Sequence, residues 1–156
     1  MKKVLLLLLF IFAPAVSAGE VVTKTFKAIN ERLGYMEDVA LHKTKKHLPI
    51  EDVGRERIVL SEAKKDAGKH GLDPESVTDF FIAQISAAKA IQYRCRADWL
   101  ANPGALAREP RDLKTEVRPA LLRLGEEILV SIKKQLESGK EFGDEQRSQF
   151  MAEVQV

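Results

Sequence analysis

Apolar residues recur at alternating spacings of four and three from residue 22 onward, which is the pattern of one face of an α-helix. The positions are Val22, Phe26, Ile29, Leu33, Met36 and Ala40. The pattern predicts a long first helix from about Val22 to His47. Leu48-Pro49 should end it, because the residue before a proline disfavours the helical conformation.

Capping and breaking residues bound three more predicted helices. These run from an N-cap at Asp52 to about Lys69 with Gly71 as C-terminal cap, from Asp73-Pro74 to about Leu100, and from about Asp112 to Gly139. Pro119 should divide the last helix into two pieces, because proline fits poorly in a helix interior. Ile58 and Leu136 are among the positions predicted to face inward. No strand pattern or repeat is present, so the predicted fold class is all-α: one helical-bundle domain of about four long helices plus short helices, with a tail that docks a last helix or frays.

The amino terminus has the pattern of a secretory signal peptide. Lys2 and Lys3 precede an apolar run over residues 4–12, and Ala-Val-Ser-Ala follows at 15–18. The run is too short for a permanent membrane anchor, so cleavage after about Ala18 and a periplasmic or secreted location are expected. Residues 19–156 should form the domain, with 19–100 carrying the polar motif described below and 101–156 adding a further helical half.

Charge and composition narrow the functional classes. The precursor has 25 Lys and Arg against 23 Asp and Glu, and cleavage would remove two lysines, leaving a formal charge of zero. This balance does not favour nucleic acid as a partner. Three histidines without metal-ligand spacing predict no metal site, and Cys95 on an apolar stripe is predicted to be a small buried side chain.

Polar side chains at core or near-core helical positions are the main indication of function. Arg32 and Lys43 lie eleven residues apart, which places them within about 20° of each other around a helix axis. Arg55 opens the next helix, and Gln92 interrupts the apolar stripe of the third. The two long cations could reach water from the edge of the stripe. Buried together, they would cost several kcal/mol unless compensated, so the interpretation we favour is a pocket for a dianionic ligand.

From Arg32 to Trp99 the sequence resembles the all-helical chorismate mutases, and the signal peptide and additional helical half resemble their secreted, periplasmic subclass. The matching motif comprises Arg32-Leu33, residues 39–43 (Val-Ala-Leu-His-Lys), residues 49–56 (Pro-Ile-Glu-Asp-Val-Gly-Arg-Glu), residues 71–74 (Gly-Leu-Asp-Pro), residues 88–92 (Ala-Lys-Ala-Ile-Gln) and Asp98-Trp99. The resemblance implies the rearrangement of chorismate to prephenate in aromatic amino-acid biosynthesis, in one pericyclic step without a cofactor.

The resemblance also implies a role for each matched residue. Lys43 and Gln92 would donate to the ether oxygen of chorismate, and Lys43 would help to hold a carboxylate. The other implied contacts are Arg32 and Arg55 with carboxylate, and Asp52 and Glu56 with the ring hydroxyl. Arg118 is the candidate for the second carboxylate, with Arg111 and Arg123 as competitors.

Two departures from relatives carry chemical content. Some secreted members have glutamate where this chain has Gln92, and an amide donates without needing acid pH. Ala88 stands where relatives often have Ser or Thr, so the resemblance implies that one substrate hydrogen bond is missing or replaced by water. A homodimer is expected. The alternatives are an isochorismate pyruvate-lyase on the same framework and a non-catalytic periplasmic helical binding module.

Overall fold

The computed structural model describes residues 18–156, so the predicted signal peptide, apart from Ala18, lies outside the described residues. The six α-helices are α1 (Ala18–Gly34), α2 (Met36–Lys45), α3 (Val53–Lys69), α4 (Thr78–Ala101), α5 (Arg118–Glu137) and α6 (Arg147–Glu153). Pro103–Ala107 and Asp144–Gln146 form 3-10 turns, and Leu113–Val117 forms a π-helical turn. No strand occurs in this part of the chain, and the all-α prediction is confirmed.

The prediction of one helix from Val22 to His47 is wrong at two points. The chain breaks at Tyr35, between α1 and α2, directly after Gly34, whose lack of a side chain weakens a helix locally. The helix also ends early, at Lys45. His47 takes a left-handed φ of 55°, and the amides of His47 and Leu48 donate to the carbonyls of Thr44 and Lys43 at 3.1 and 2.8 Å. This left-handed cap turns the chain before Pro49 is reached.

The boundaries of α3 follow the prediction, but the start of α4 does not. Asp52 caps α3, accepting the amide of Arg55 at 2.9 Å, and Gly71 closes it with a φ of 72°. Asp73 was expected to cap the next helix. Instead its side chain accepts the amide of Glu75 at 3.1 Å within a turn, and α4 begins at Thr78.

Pro119 divides the last predicted helix into two pieces, as expected. Asp112 accepts the amides of Lys114 and Thr115 at 2.8 and 2.7 Å and so begins the π-helical turn. Pro119 is then the second residue of α5, where its missing amide hydrogen would have no helical partner in any case. The chain therefore passes from the turn into α5 without a loop.

Buried hydrophobic residues form three clusters between the helices. The clusters join α1 with α5 (Val22, Phe26, Ala28, Ile29, Leu33, Leu124, Ile128), α3 with α4 and α5 (Ala63, Ala67, Val77, Phe81, Leu129), and α2 with α4 (Ala40, Leu41, Cys95, Trp99). Phe150 of α6 packs edge-on against Phe26 at 5.2 Å between ring centroids, so the tail docks. Cys95 is free and buried, and burial raises the pKa of its thiol.

Two predicted core positions are wrong. Ile58 and Leu136 are 50% and 47% exposed. Ile58 lines the open cavity, and Leu136 lies one residue before the end of α5. At the end of α5 the buried position is instead taken by Gln135, the residue before Leu136. No helix among residues 18–156 is long and apolar enough to cross a membrane.

Candidate active site

A cavity of about 480 Å³ opens between α1, α2, α3, α4 and α5. All seven site residues predicted from the sequence line it: Arg32, Lys43, Asp52, Arg55, Glu56, Gln92 and Arg118. Apolar side chains, including Leu33, Val39, Phe81 and Ile85, form much of the remaining wall. The residues come from five segments separated by up to 86 positions in sequence, and packing of the helices brings them to one space.

Arg32 is held across the cavity by α5. One of its terminal nitrogens donates to the carbonyl of Leu121 at 2.6 Å, and its guanidinium carbon lies 5.9 Å from the centre of the Phe81 ring. Burial, and then the nearby charge of Arg55, lower the pKa of Arg32 to about 10. The group stays charged at neutral pH, but it has lost most of its hydration. A bound anion would therefore interact with it strongly.

Lys43 lies on α2 and reaches the chain that follows that helix. Its ammonium donates to the carbonyl of Ile50 at 2.6 Å. Burial lowers the pKa of Lys43, while the carboxylates of Asp52 and Glu56 partly oppose that shift. An ammonium has three hydrogens, and this contact uses one, so two remain for a ligand.

Gln92 occupies the interior position that the stripe on α4 predicted. Its Nε2 donates to the carbonyl of Ala88 at 3.1 Å and contacts the sulfur of Met36 at 3.7 Å. Its buried Oε1 has no hydrogen-bond partner within residues 18–156. Sulfur is a weak acceptor, so a ligand oxygen could take the second N–H hydrogen in its place.

The two carboxylates predicted from the sequence, Asp52 and Glu56, lie where α3 begins. Asp52 caps the helix, and one oxygen of Glu56 pairs with Lys89 at 3.3 Å. The other Glu56 oxygen is buried and has no partner among the described residues. Lys89 also pairs with Glu51 at 2.9 Å and thereby links α4 to the chain before α3. The site thus has acceptors for a hydroxyl beside donors for an anion.

Among the three arginines considered for the second carboxylate, Arg118 lines the cavity. The Nε of Arg111 pairs with Asp38 at 2.6 Å, and its guanidinium lies 4.2 Å from the centre of the Tyr35 ring. Arg123 is exposed and pairs with Glu127 and Glu31 at 2.7 and 3.1 Å. These contacts leave Arg118 as the candidate that the geometry supports.

Four polar residues of the cavity wall have no role in the sequence prediction: Glu62, Asp66, Gln84 and Lys89. Lys89 holds Glu56, as described above. Gln84 is buried and lines the cavity, and its Oε1 has no partner within the described part of the chain. Gln84 lies three residues after Phe81 and four before Ala88, a helical spacing that could have identified it.

Replacing Gln84 with methionine is expected to raise the melting temperature by a few degrees. A buried oxygen without a partner costs about 1 to 3 kcal/mol, and methionine fills a similar volume without one. Thermal unfolding followed by circular dichroism measures the change. Gln135→Met is the matched control, because Gln135 is also buried with an unpartnered Oε1 in the described structure but does not line the cavity. A lower melting temperature for Gln84→Met alone would show that cavity water already satisfies the Gln84 oxygen.

Comparisons with known proteins agree on one family. The sequence model of the family described as Chorismate mutase type II matches residues 23–93. A secreted chorismate mutase of Yersinia pestis is 46% identical over 123 residues, which are 78% of this chain and 65% of the relative. A monofunctional chorismate mutase of Enterobacter agglomerans is 40% identical over 144 residues, covering 92% of this chain and 77% of that protein. The chain belongs to the chorismate mutase family.

A solved structure supports the same relationship. The crystal structure of secreted chorismate mutase from Yersinia pestis superposes with a TM-score of 0.78 and 41% identity, covering 85% of this chain and 84% of that one. Membership of the chorismate mutase family confirms the predicted resemblance and, at the level of the family, the predicted class of enzyme, an isomerase. The name of the Yersinia relative also supports the predicted export.

The chorismate mutase family match covers six of the seven predicted residues. Arg32, Lys43, Asp52, Arg55, Glu56 and Gln92 fall within residues 23–93. Arg118 lies beyond that range, so its place at the cavity rests on the fold of the second half of the chain.

Proposed function

We propose that this chain converts chorismate to prephenate in the cavity, by holding the substrate in its compact conformer and by stabilising charge on the breaking ether bond. One observation carries the proposal: the six residues matched within the family motif and Arg118 all line one cavity. Chorismate is a dianion with one ring hydroxyl. The cavity offers several cations, an amide donor and, at the start of α3, the carboxylates of Asp52 and Glu56, which complement those groups.

The carboxylates of the substrate would bind to the arginines. Arg32 has a planar fork suited to a carboxylate and is fixed by its contact with Leu121. Arg55 adds positive charge close enough to affect the pKa of Arg32. Arg118 would take the second carboxylate from the α5 side. Pairing both ends of the substrate holds it in a bent shape in which the two reacting carbons are close, which lowers the entropic part of the barrier.

The ether oxygen would lie between Lys43 and Gln92. As the C–O bond breaks, negative charge develops on this oxygen, and the Lys43 ammonium and the Gln92 Nε2–H are donors that can meet it. Asp52 and Glu56 would accept the hydroxyl hydrogen. The reaction is unimolecular and needs no nucleophile, proton transfer or cofactor, so these residues act through charge and position.

The direct test is the loss of chorismate absorbance with residues 19–156 and no added cofactor or metal, with the product identified by NMR. Prephenate is expected. Release of pyruvate from isochorismate, with no turnover of chorismate, would instead identify a lyase. No turnover of either compound by folded protein would favour a binding module. The predicted homodimer stays a prediction.

Replacing Arg118 with alanine is expected to raise KM for chorismate by about 10- to 100-fold, with a smaller change in kcat. A hydrogen bond to a charged group contributes about 1.5 to 3 kcal/mol, and this one is already made in the ground state. Steady-state kinetics measure the change. Arg123→Ala is the control, since Arg123 is one turn further along α5 and pairs with glutamates. An unchanged KM for Arg118→Ala would contradict the assignment.

A further inference from the structure

Asp38 is an acidic residue of α2 that neither the sequence prediction nor the proposed reaction uses. Its residue exposure is 1%, and it does not line the cavity. Both of its oxygens are occupied: Arg108 Nη1 and the Arg111 amide lie 2.7 and 3.1 Å from Oδ1, and Arg111 Nε lies 2.6 Å from Oδ2. A buried carboxylate requires such compensation, so these contacts fix the position of whatever carries the two arginines.

The two arginines lie on the connection between α4 and α5. Arg108 follows the 3-10 turn Pro103–Ala107, and Arg111 precedes the π-helical turn. The Arg111 guanidinium also lies over the Tyr35 ring at the break between α1 and α2. Asp38, Arg108 and Arg111 therefore form a latch that fastens this connection to the start of α2. Although burial alone would raise the pKa of Asp38, the hydrogen bonds from Arg108 and Arg111 outweigh burial and lower it.

The chain between the latch and the cavity is short and held in regular structure. Asp112, the residue after Arg111, caps the π-helical turn through its bonds to Lys114 and Thr115. Val117 is fully buried, and Arg118 follows at once as the first residue of α5. The position of Arg111 thus determines where the turn begins and where the Arg118 side chain enters the cavity.

The latch also connects two functional residues. Asp38 and Lys43 lie on the same short helix, five residues apart, and the latch joins that helix to the segment that carries Arg118. The distance across the cavity between the Lys43 ammonium and the Arg118 guanidinium therefore depends on this buried contact. A substrate held at both ends needs that distance to be fixed within a fraction of an ångström.

We propose that Asp38 is a positioning residue, which sets the place of Arg118 at the cavity through Arg108 and Arg111. The inference rests on the proposed function, because it concerns binding of the same substrate. Asp38 touches no substrate, and its effect passes through another residue. A general loss of stability would lower the folded fraction, whereas a positioning role changes the affinity of folded protein for chorismate.

A double-mutant cycle tests this role. Asp38→Asn preserves the shape of the side chain but removes its charge, and is expected to lower kcat/KM by about tenfold or more, chiefly through KM. In an Arg118→Ala background the same substitution is expected to cost less than about threefold, because the residue through which it acts is absent. Glu37→Gln is the control: Glu37 is exposed and also pairs with Arg108, at 3.1 Å, and its loss should leave the kinetics unchanged.

An equal loss from Asp38→Asn in both backgrounds, or no loss in either, would overturn the proposal. If Asp38→Asn does not fold, Arg111→Met replaces it in the cycle, because Arg111 is exposed enough to tolerate substitution. If wild-type protein fails to convert chorismate, the proposed function fails separately. Hydrogen exchange then tests the latch, with faster exchange of the amides of residues 112–118 expected in Asp38→Asn and unchanged exchange contradicting it.

Discussion

Replacing Lys43 with alanine is expected to lower kcat for chorismate by about 10² to 10³-fold, with a smaller change in KM. The ammonium is fixed by its 2.6 Å contact with the Ile50 carbonyl and is partly buried, which lowers its pKa. It therefore meets developing charge without first having to reorient or shed much water. The charge on the ether oxygen is largest in the transition state, so the loss should fall mainly on kcat. Steady-state kinetics with product identification measure it.

Lys45→Ala is the matched control for this substitution. Lys45 lies two residues further along α2 and pairs with the exposed Glu109, so the same change of side chain is made away from the cavity. Its kinetics should match wild type. Lys43→Ala must also be folded, which circular dichroism establishes. If the folded variant keeps kcat within about threefold of wild type, Lys43 is not a donor to the ether oxygen.

The sequence predicted the helices well where a capping residue and an apolar stripe agreed. Asp52 begins α3 and Gly71 follows its end, as expected. Every residue of the apolar stripe from Val22 to Ala40 is buried. Errors arose where a local backbone contact decided the outcome. His47 adopts a left-handed cap usually taken by glycine, and Asp73 uses its side chain for a turn instead of a helix cap. Neither choice can be read from residue type alone.

The residues of the site could be predicted from the sequence more fully than the contacts that hold the neighbouring side chains. Arg32 and Lys43 share a face of the first helical segment, and the break at Tyr35 does not separate them, because both line the cavity. The resemblance already made Arg118 the candidate, but the sequence left Arg111 and Arg123 as competitors, because the three arginines differ only in what surrounds them in the fold. Arg111 pairs with Asp38 of α2, and Arg123 pairs with Glu31 of α1. These partners come close only after the two halves of the chain pack together.

Replacing Gln92 with glutamate is expected to make activity depend on acid pH. The amide donates at any pH, so the wild-type rate should be nearly flat across neutral pH. It should fall only at alkaline pH, as Arg32, with a pKa of about 10, and Lys43, whose pKa is also lowered, lose the protons that bind the dianion. A glutamate donates only when protonated, and its rate should fall about tenfold per pH unit above its pKa. The measurement is kcat/KM from about pH 5 to pH 8 for both proteins.

Gln92→Leu provides the lower reference for this experiment, because it removes the donor without adding a charge. At low pH, kcat/KM of the glutamate variant should approach that of wild type. At high pH it should fall to the value of Gln92→Leu or lower, since an ionised carboxylate repels charge on the ether oxygen. Circular dichroism at each pH separates this from unfolding, which burial of the ionised side chain would promote. A wild-type rate that collapses above about pH 6 would contradict the role of the amide as a donor independent of pH. So would a glutamate variant with a flat profile, and that result would leave Lys43 as the donor on which the chemistry depends.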